Sequence, residues 1–355
     1  MESSSGSRTR VIAALDFGTT FSGISYALLT KNEAKSFYWE FDGKRLQKTP
    51  TRTEISKTTL EWFKLSLLLR DDLPSDVRNS PKFNELNKAR EAIDVTAANA
   101  TARYLREIWE VFLKKLREEI RDPHIQLSVT VPVLWPNYAR ESMEEALNRA
   151  GILGENVVLA PKFLIEPEAT ALAFFSSEDR SKTNISKLQP GETVLICDCG
   201  GGTVDTVAYE IRSIHPFRLD EICKGQCIFA GGCLLDDGFT KLLKEKVESM
   251  ISPRAFKALT DKELYDIASD KWEFNIKPRF GDDFPAQKIY LPIKWAASRQ
   301  RRMPIGQGDD VTLTQHRANG NFDGATHRWS CLNLVARKWQ IVRAHQIHRM
   351  KERPG

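Results

Sequence analysis

The segment from Thr193 to Ile211, TVLICDCGGGTVDTVAYEI, constrains the fold more than any other stretch of the chain. An apolar run, Val194 to Cys197, ends in Asp198, passes through Gly200, Gly201, Gly202 and Thr203, and resumes as an alternating strand from Val204 to Ile211. The pattern predicts a β-hairpin. An ordinary two-residue hairpin needs one or two glycines, and three in succession carry a large backbone-entropy cost, so some group must approach the main chain there. Successive N–H groups in such a turn form a concave site for an anion. The flanking acids, Asp198 and Asp205, would repel a bare phosphate, which points to a phosphate chain carrying a magnesium-like cation between them.

The same device occurs near the start. Val11 to Leu28, VIAALDFGTTFSGISYAL, again runs apolar strand, Asp16, Gly18, Thr19 and Thr20, then a second alternating strand through Ile24, Tyr26 and Leu28. One glycine-rich turn carries little information, whereas two with the same order of strand, Asp, Gly, Thr and strand mark a paired phosphate site.

Composition sets the class. With 355 residues, 41% hydrophobic and 28% charged, the chain can bury the core of two lobes and is neither disordered nor fibrous. Val11 to Leu15 is too short an apolar run before Asp16 to serve as a secretory signal, and no stretch is long enough to span a bilayer. Six cysteines without such a signal predict reduced thiols in a cytoplasmic setting, which leaves the sequon Asn184, Ile185, Ser186 idle. Cys223, Cys227 and Cys233 match no zinc spacing. The 52 basic and 47 acidic residues are unevenly placed: 11 basic and 4 acidic residues follow from Trp295 onward, so the body is near neutral and its charge gives no sign of a nucleic-acid partner.

Periodicity supplies the remaining elements. Lys48, Thr49, Pro50 and Thr51 read as an exposed turn, and Lys57 and Lys64 read as exposed lysines on residue type alone. Leu105, Ile108, Phe112, Leu116 and Ile120 recur at helical spacing across Ala97 to Ile120. Ile125 to Val131 alternate as a strand that stops at Pro132, and Asn137 is placed to cap a helix closed by Gly151. A short strand, Val157 to Leu159, precedes a helix with Pro167 in its first turn and Ala169, Ala171 and Ala173 on a small-residue face. Ala230, Gly231 and Gly232 form a turn into a helix over Leu234 to Met250, and Phe284 to Ile293 read as a strand.

The paired hairpins, with VTVPVLWPNYARESMEEALNRAGI, FLIEPEATALAFF and the glycine pair ahead of the Leu234 helix, resemble the actin-like ATPase superfamily and, within it, Hsp70. The match runs from Arg10 to Ile293. It implies an α/β actin-like ATPase fold with two ribonuclease-H-like lobes around a nucleotide cleft, the second incomplete. It places residues 1–10 as a disordered start, 11–189 as the first lobe with the crossing helix, 190–293 as the second lobe, and 294–355 as an irregular basic tail. ATP or ADP and Mg2+ are the implied ligands, with protein clients or co-chaperones as partners and no membrane.

Carried over residue by residue, the resemblance has Gly18, Thr19, Thr20, Gly200, Gly201, Gly202, Thr203, Gly231 and Gly232 around the nucleotide, and Asp16 and Asp198 on the metal. Glu166 and Asp205 would orient the attacking water, with the Thr203 hydroxyl beside the γ-phosphate. Pro132 and Arg140 hold the places of a relay of nucleotide state, and Trp272, Glu273 and Lys277 fall near the adenine. Two further strands and a catalytic lysine should follow Thr51; they are missing from the sequence pattern, with Lys57 and Lys64 the candidates by position. The adenosine loop and a peptide-binding domain are absent. Two functions remain open: an Hsp70-like chaperone-related ATPase, or a nucleotide-sensing or inactive remnant without turnover or client binding. A sugar kinase of the superfamily would need a substrate-binding Asp motif between the hairpins, and none is present.

From Trp295 the chain turns to a mixture rich in Arg, His, Gln and Trp, containing four of the six histidines. Such a break is what a translated intron or shifted reading frame produces; the alternative for Arg337 to Arg353 is a basic helix for an acidic partner. Limited proteolysis is therefore expected to cut from residue 295 onward before it cuts within 10–212. A protected fragment 295–355 contradicts this.

Overall fold

The computed structural model describes residues 9–29, 33–41, 44–176, 188–214, 216–228, 230–249, 251–260, 263, 264, 266, 272–277, 287–290 and 310–313. The chain divides into two compact units, Met1–Gly231 and Gly232–Gly355. Both glycine-rich hairpins lie in the first.

That unit begins with β1 (Thr9–Phe17) and β2 (Phe21–Leu28), an antiparallel hairpin whose register sets Asp16 opposite Gly23. β3 (Glu33–Ser36) extends the sheet along β2, while β4 (Trp39–Phe41) and β5 (Lys44–Leu46) form a separate ribbon. β6 (Lys48–Pro50) returns to β2 and pairs Lys48 with Gly23. The expected exposed turn at 48–51 is thus a strand with buried threonines: Thr49 and Thr51 are buried, the Ser22 and Thr51 hydroxyls meet at 2.8 Å, and the Thr51 amide donates to Thr20 O at 2.7 Å.

β7 (Arg52–Ile55) and β8 (Thr58–Glu61) follow as a two-residue hairpin. Two strands thus stand where the sequence pattern showed none. Their turn is made by Ser56 and Lys57 at φ 51° and 64°, so the left-handed backbone that normally selects Asn-Gly is adopted here by two ordinary residues. Lys57 is exposed on that turn. Lys64, three residues beyond β8, is only 3% exposed, contrary to its expected surface position.

After the short α1 (Ser75–Arg78), α2 (Pro81–Ala92) starts on Ser80, whose hydroxyl accepts the Phe83 amide. α3 (Ala97–Glu119) is capped likewise by Thr96 accepting from Asn99 at 3.1 Å. Its stripe, Leu105, Ile108, Phe112 and Leu116, is buried, as its spacing requires. β9 (Pro123–Val131) runs parallel to β1, and α4 (Asn137–Arg149) follows with Pro136 at the cap position, so Asn137 is the first helical residue and not the cap. Gly151 closes α4 at φ +70°. β10 (Val157–Leu159) and β11 (Leu164–Ile165) lie parallel to β9, and α5 (Glu166–Ser176) leaves directly from β11.

The result is a seven-stranded mixed sheet of order β10-β9-β1-β2-β3, with β11 on β9 and β6 on β2. β12 (Thr193–Cys199) and β13 (Val204–Ile214) form the second hairpin, and β14 (Phe217–Glu221) and β15 (Gln226–Ile228) both flank β13. Ala171 and Phe175 of α5 pack with Ile196, Val207 and Tyr209 beneath this smaller sheet.

In the second unit, α6 (Cys233–Glu248) and α7 (Pro253–Lys257) precede a π-turn at Trp272–Ile276. Phe239, Leu243, Val247, Ile251, Leu264, Trp272 and Ile276 make its core. β16 (Gln287–Tyr290) pairs antiparallel with β17 (Asp310–Leu313), so the irregular tail contributes one short strand. The rest of 294–355, like residues 1–8, lies outside the described residues.

Phe112 ties α3 to the large sheet, its ring 5.9 Å from Tyr26, 5.5 Å from Phe37 and 5.1 Å from Trp109. Phe112→Ala removes a fully buried ring and should cost about 3–5 kcal/mol, read as a shift of the urea midpoint. A loss below about 1 kcal/mol would mean that this aromatic cluster does not anchor the sheet.

Candidate functional site

Two glycine-rich turns meet in the first unit. A Cβ on Gly201 would lie 1.6 Å from Thr20 Oγ1, and one on Gly202 would lie 2.9 Å from Thr19 Cγ2. The group that approaches the bare backbone of the second turn is therefore the first turn's threonines. Gly231 closes against the same peptides, 2.5 Å from Gly201 C by its own added Cβ, and donates its amide to Gly202 O at 3.1 Å. Gly200 donates to Thr203 O at 2.9 Å, tightening the turn. Among the described residues, the amides of Gly18, Thr19, Thr20, Gly201 and Gly202 donate to no backbone carbonyl outside regular strands and helices. Gly232 belongs to the second unit, where its carbonyl accepts from Leu235 and Asp236 at the start of α6.

Around these turns stand four carboxylates and two lysines. Asp16, near the end of β1, accepts from Lys48 Nζ at 2.7 Å on Oδ2 and from the Thr130 hydroxyl at 3.3 Å on Oδ1. Glu166, where β11 passes into α5, accepts from Lys64 Nζ at 2.8 Å. This pair is buried, its side chains 3% and 14% exposed, and the Lys64 ammonium lies over the rings of Phe17 and Trp135 at 5.7 and 5.5 Å. Asp198, near the end of β12, and Asp205, in β13, sit opposite one another in register. Asp205 is buried; Oδ2 accepts from the Thr203 hydroxyl at 3.0 Å, and Oδ1 is buried with no hydrogen-bond donor in range among the described residues.

The charges act on one another. Burial pushes the Glu166 carboxyl above its usual range, with Lys64 pulling it back and Asp205 and Asp16 raising it further. Burial likewise raises Asp198, reinforced by Asp16 and opposed by Lys48, Lys64 and Thr170. Asp205 is raised by burial against the help of Thr203, Cys227 and Lys64. Burial lowers Lys48, but Asp16, Asp198 and Glu166 outweigh it and hold the ammonium above its ordinary value. The Cys227 thiol, opposite Asp205 in register, is pushed up by burial and then by the Asp205 charge, and Cys197 is pushed up to about 12 for the same leading reason. Such a crowd of desolvated acids favours positive charge beside it, part of which Lys48 and Lys64 supply.

The structure brings Asp16, Glu166, Asp198, Asp205 and Thr203 together with the two turns. Sequence reasoning missed Lys48 and undervalued Lys64. The alternation of Thr53, Ile55, Thr58 and Leu60 with more polar residues was the available signal for the hairpin that delivers Lys64. Pro132 follows β9 directly, and Arg140 is half-buried in α4 with Nε unpaired. Trp272, Glu273 and Lys277 lie in the second unit, engaged with its own residues: Trp272 Nε1 donates to Asp236 at 2.7 Å, and Lys277 pairs with Asp236 at 2.9 Å and Glu273 at 3.2 Å. Among the described residues, Cys197, Cys199, Cys223, Cys227 and Cys233 form no disulfide. Among the described residues, no three His, Cys, Asp or Glu side chains are close enough to ligate a metal directly, and no helix is long and apolar enough to cross a membrane.

No family model matches the chain. The curated protein heat shock 70 kDa protein 12A of Mus musculus is 25% identical over 309 residues, covering 66% of this chain and 45% of that protein. Its Homo sapiens counterpart gives the same identity and coverage, and human heat shock 70 kDa protein 12B is 24% identical over 306 residues, 66% of this chain and 44% of that one. The chain thus spans less than half the length of the curated relatives it matches. Together with a mixed α/β architecture around a central mixed sheet, which is compatible with an actin-like ATPase fold, these similarities support an Hsp70-like relationship.

Proposed function

We propose that the chain binds ATP or ADP with magnesium at the paired turns of its first unit and hydrolyses ATP slowly, as an Hsp70-like nucleotide-binding protein with a chaperone-related role. The observation that carries this reading is the buried Lys64–Glu166 pair set among Asp16, Asp198 and Asp205. A structural ion pair needs no further carboxylates, and three more acids beside it are costly unless they serve a cationic ligand.

The residues suit magnesium. Their donors are hard carboxylate oxygens, the kind that magnesium takes while keeping most of its waters and drawing its remaining ligands from phosphate. Asp16 and Asp198 would hold it through those waters. When bound, the ion neutralises charge on the phosphate oxygens. The amides of Gly18 to Thr20 and of Gly201 to Thr203 would hold the phosphates themselves.

Phosphoryl transfer to water demands positioning more than covalent chemistry. Asp205 supplies a buried acceptor, Oδ1, for a hydrogen of the attacking water, while Thr203 fixes the carboxylate through Oδ2. Glu166 is fixed by Lys64, which takes the place of the catalytic lysine that the resemblance requires. Lys64 thereby orients one acid and adds positive charge beside the transferring group.

Asp198→Asn should weaken Mg-ADP by about threefold to fivefold while leaving adenosine nearly unchanged, since only the phosphates meet the metal. Equal losses for both ligands in calorimetry sink the assignment. Asp205→Asn should lower single-turnover phosphate release by about 10²-fold or more with ADP affinity within about threefold of the parent chain. Steady hydrolysis untouched by that change would hand the water to another group, and binding without any turnover in the parent chain would select the nucleotide-sensing alternative.

A further inference from the structure

Asp16, Gly23 and Lys48 lie side by side on three neighbouring strands, since β1 pairs Asp16 with Gly23 and β6 pairs Gly23 with Lys48. Residues directly opposite in a sheet project to the same face, and two strand spacings separate Asp16 from Lys48 by about 9.5 Å of backbone. Their side chains can meet only by crossing β2. The crossing point is Gly23: a Cβ there would stand 3.4 Å from Lys48 Cγ and 4.0 Å from Lys48 Cε, beside the stem of the lysine. The stem passes over Gly23 at van der Waals distance, and Nζ reaches Asp16 Oδ2 at 2.7 Å.

We propose that Lys48 is a resident cation of the phosphate site, laid across Gly23 so that the first turn holds the phosphates of a nucleotide with little dependence on a divalent metal. The proposal rests on the nucleotide reading above. Three features of the chain favour it. Lys64 is buried and committed to Glu166, so Lys48 is the lysine of the site that remains accessible, with its side chain 56% exposed. An ammonium has three donors, and the bond to Asp16 uses one, leaving two for phosphate oxygens. Lys48 also pairs with Oδ2 of Asp16, so it brings positive charge beside the residue through which a hydrated metal would be held.

The test is calorimetry of the full chain with ADP, in magnesium and again in excess EDTA. The parent chain should lose less than about tenfold in affinity when the metal is removed. Lys48→Met keeps the stem and removes the charge; it should lose about tenfold in magnesium and about 100-fold in EDTA, where no ion shares the charge, and Lys48→Arg should restore the tolerance. Thermal melting of the ligand-free chain should show that each variant folds. A parent chain that loses more than about 100-fold in EDTA overturns the proposal, as does a Lys48→Met chain that loses equally in both conditions or in neither. Absence of ADP binding in both conditions overturns the nucleotide reading itself and this proposal with it.

Discussion

A single buried ion pair governs the site. Lys64 is enclosed by the rings of Phe17 and Trp135, and such a cation in a dry setting needs an anion in contact. Glu166 provides it at 2.8 Å, from the point where β11 passes into α5. Breaking a buried pair of this kind leaves an unpaired charge and costs about 3–5 kcal/mol, so the position of α5 is pinned to the segment that follows β8. α5 also packs on the sheet of the second hairpin through Ala171 and Phe175. One contact therefore ties the large sheet, the small sheet and the helix between them to the same point.

The two hairpins share an order of residues but differ in how they are held. The first is embedded: β2 is paired by β1, β3 and β6, and Ser22 and Thr51 hydroxyls seal its inner face. The second rests on β14 and β15, and its Asp205 is held by Thr203 and neighboured by a thiol, a weak donor. Polar support around Asp16 comes from a lysine and a threonine, so that acid is compensated on both oxygens. Asp205 is compensated on one. This asymmetry suits a division of work in which one acid carries charge and the other directs a small polar molecule.

Much of this was legible in the chain. The long stripe of α3 fixes a helix because Leu105, Ile108, Phe112 and Leu116 can share a face in no other regular conformation, and Asp16, Glu166, Asp198 and Asp205 were recognisable from their places in motifs. Lys64 was not, because the hairpin that leads to it turns on Ser56 and Lys57, neither of which advertises a left-handed backbone. Lys48 was hidden for a different reason: its role depends on pairing with a glycine 25 positions earlier, and no local rule reports a register between distant strands. Asn137 was misjudged because Pro136 takes the cap position ahead of it.

The contact between Thr20 and Gly201 has an evolutionary side. Any side chain at 201 would occupy the volume now filled by the Thr20 hydroxyl and methyl, so the two positions cannot drift independently. A larger residue in the second turn is admissible only after the first has been trimmed, for example to glycine at 20, and the reverse order passes through a clash. Related chains should therefore vary at these sites as a pair, with the volume of one falling as the other rises. Such paired variation would be a record, written in sequences alone, that the two turns have stayed in contact.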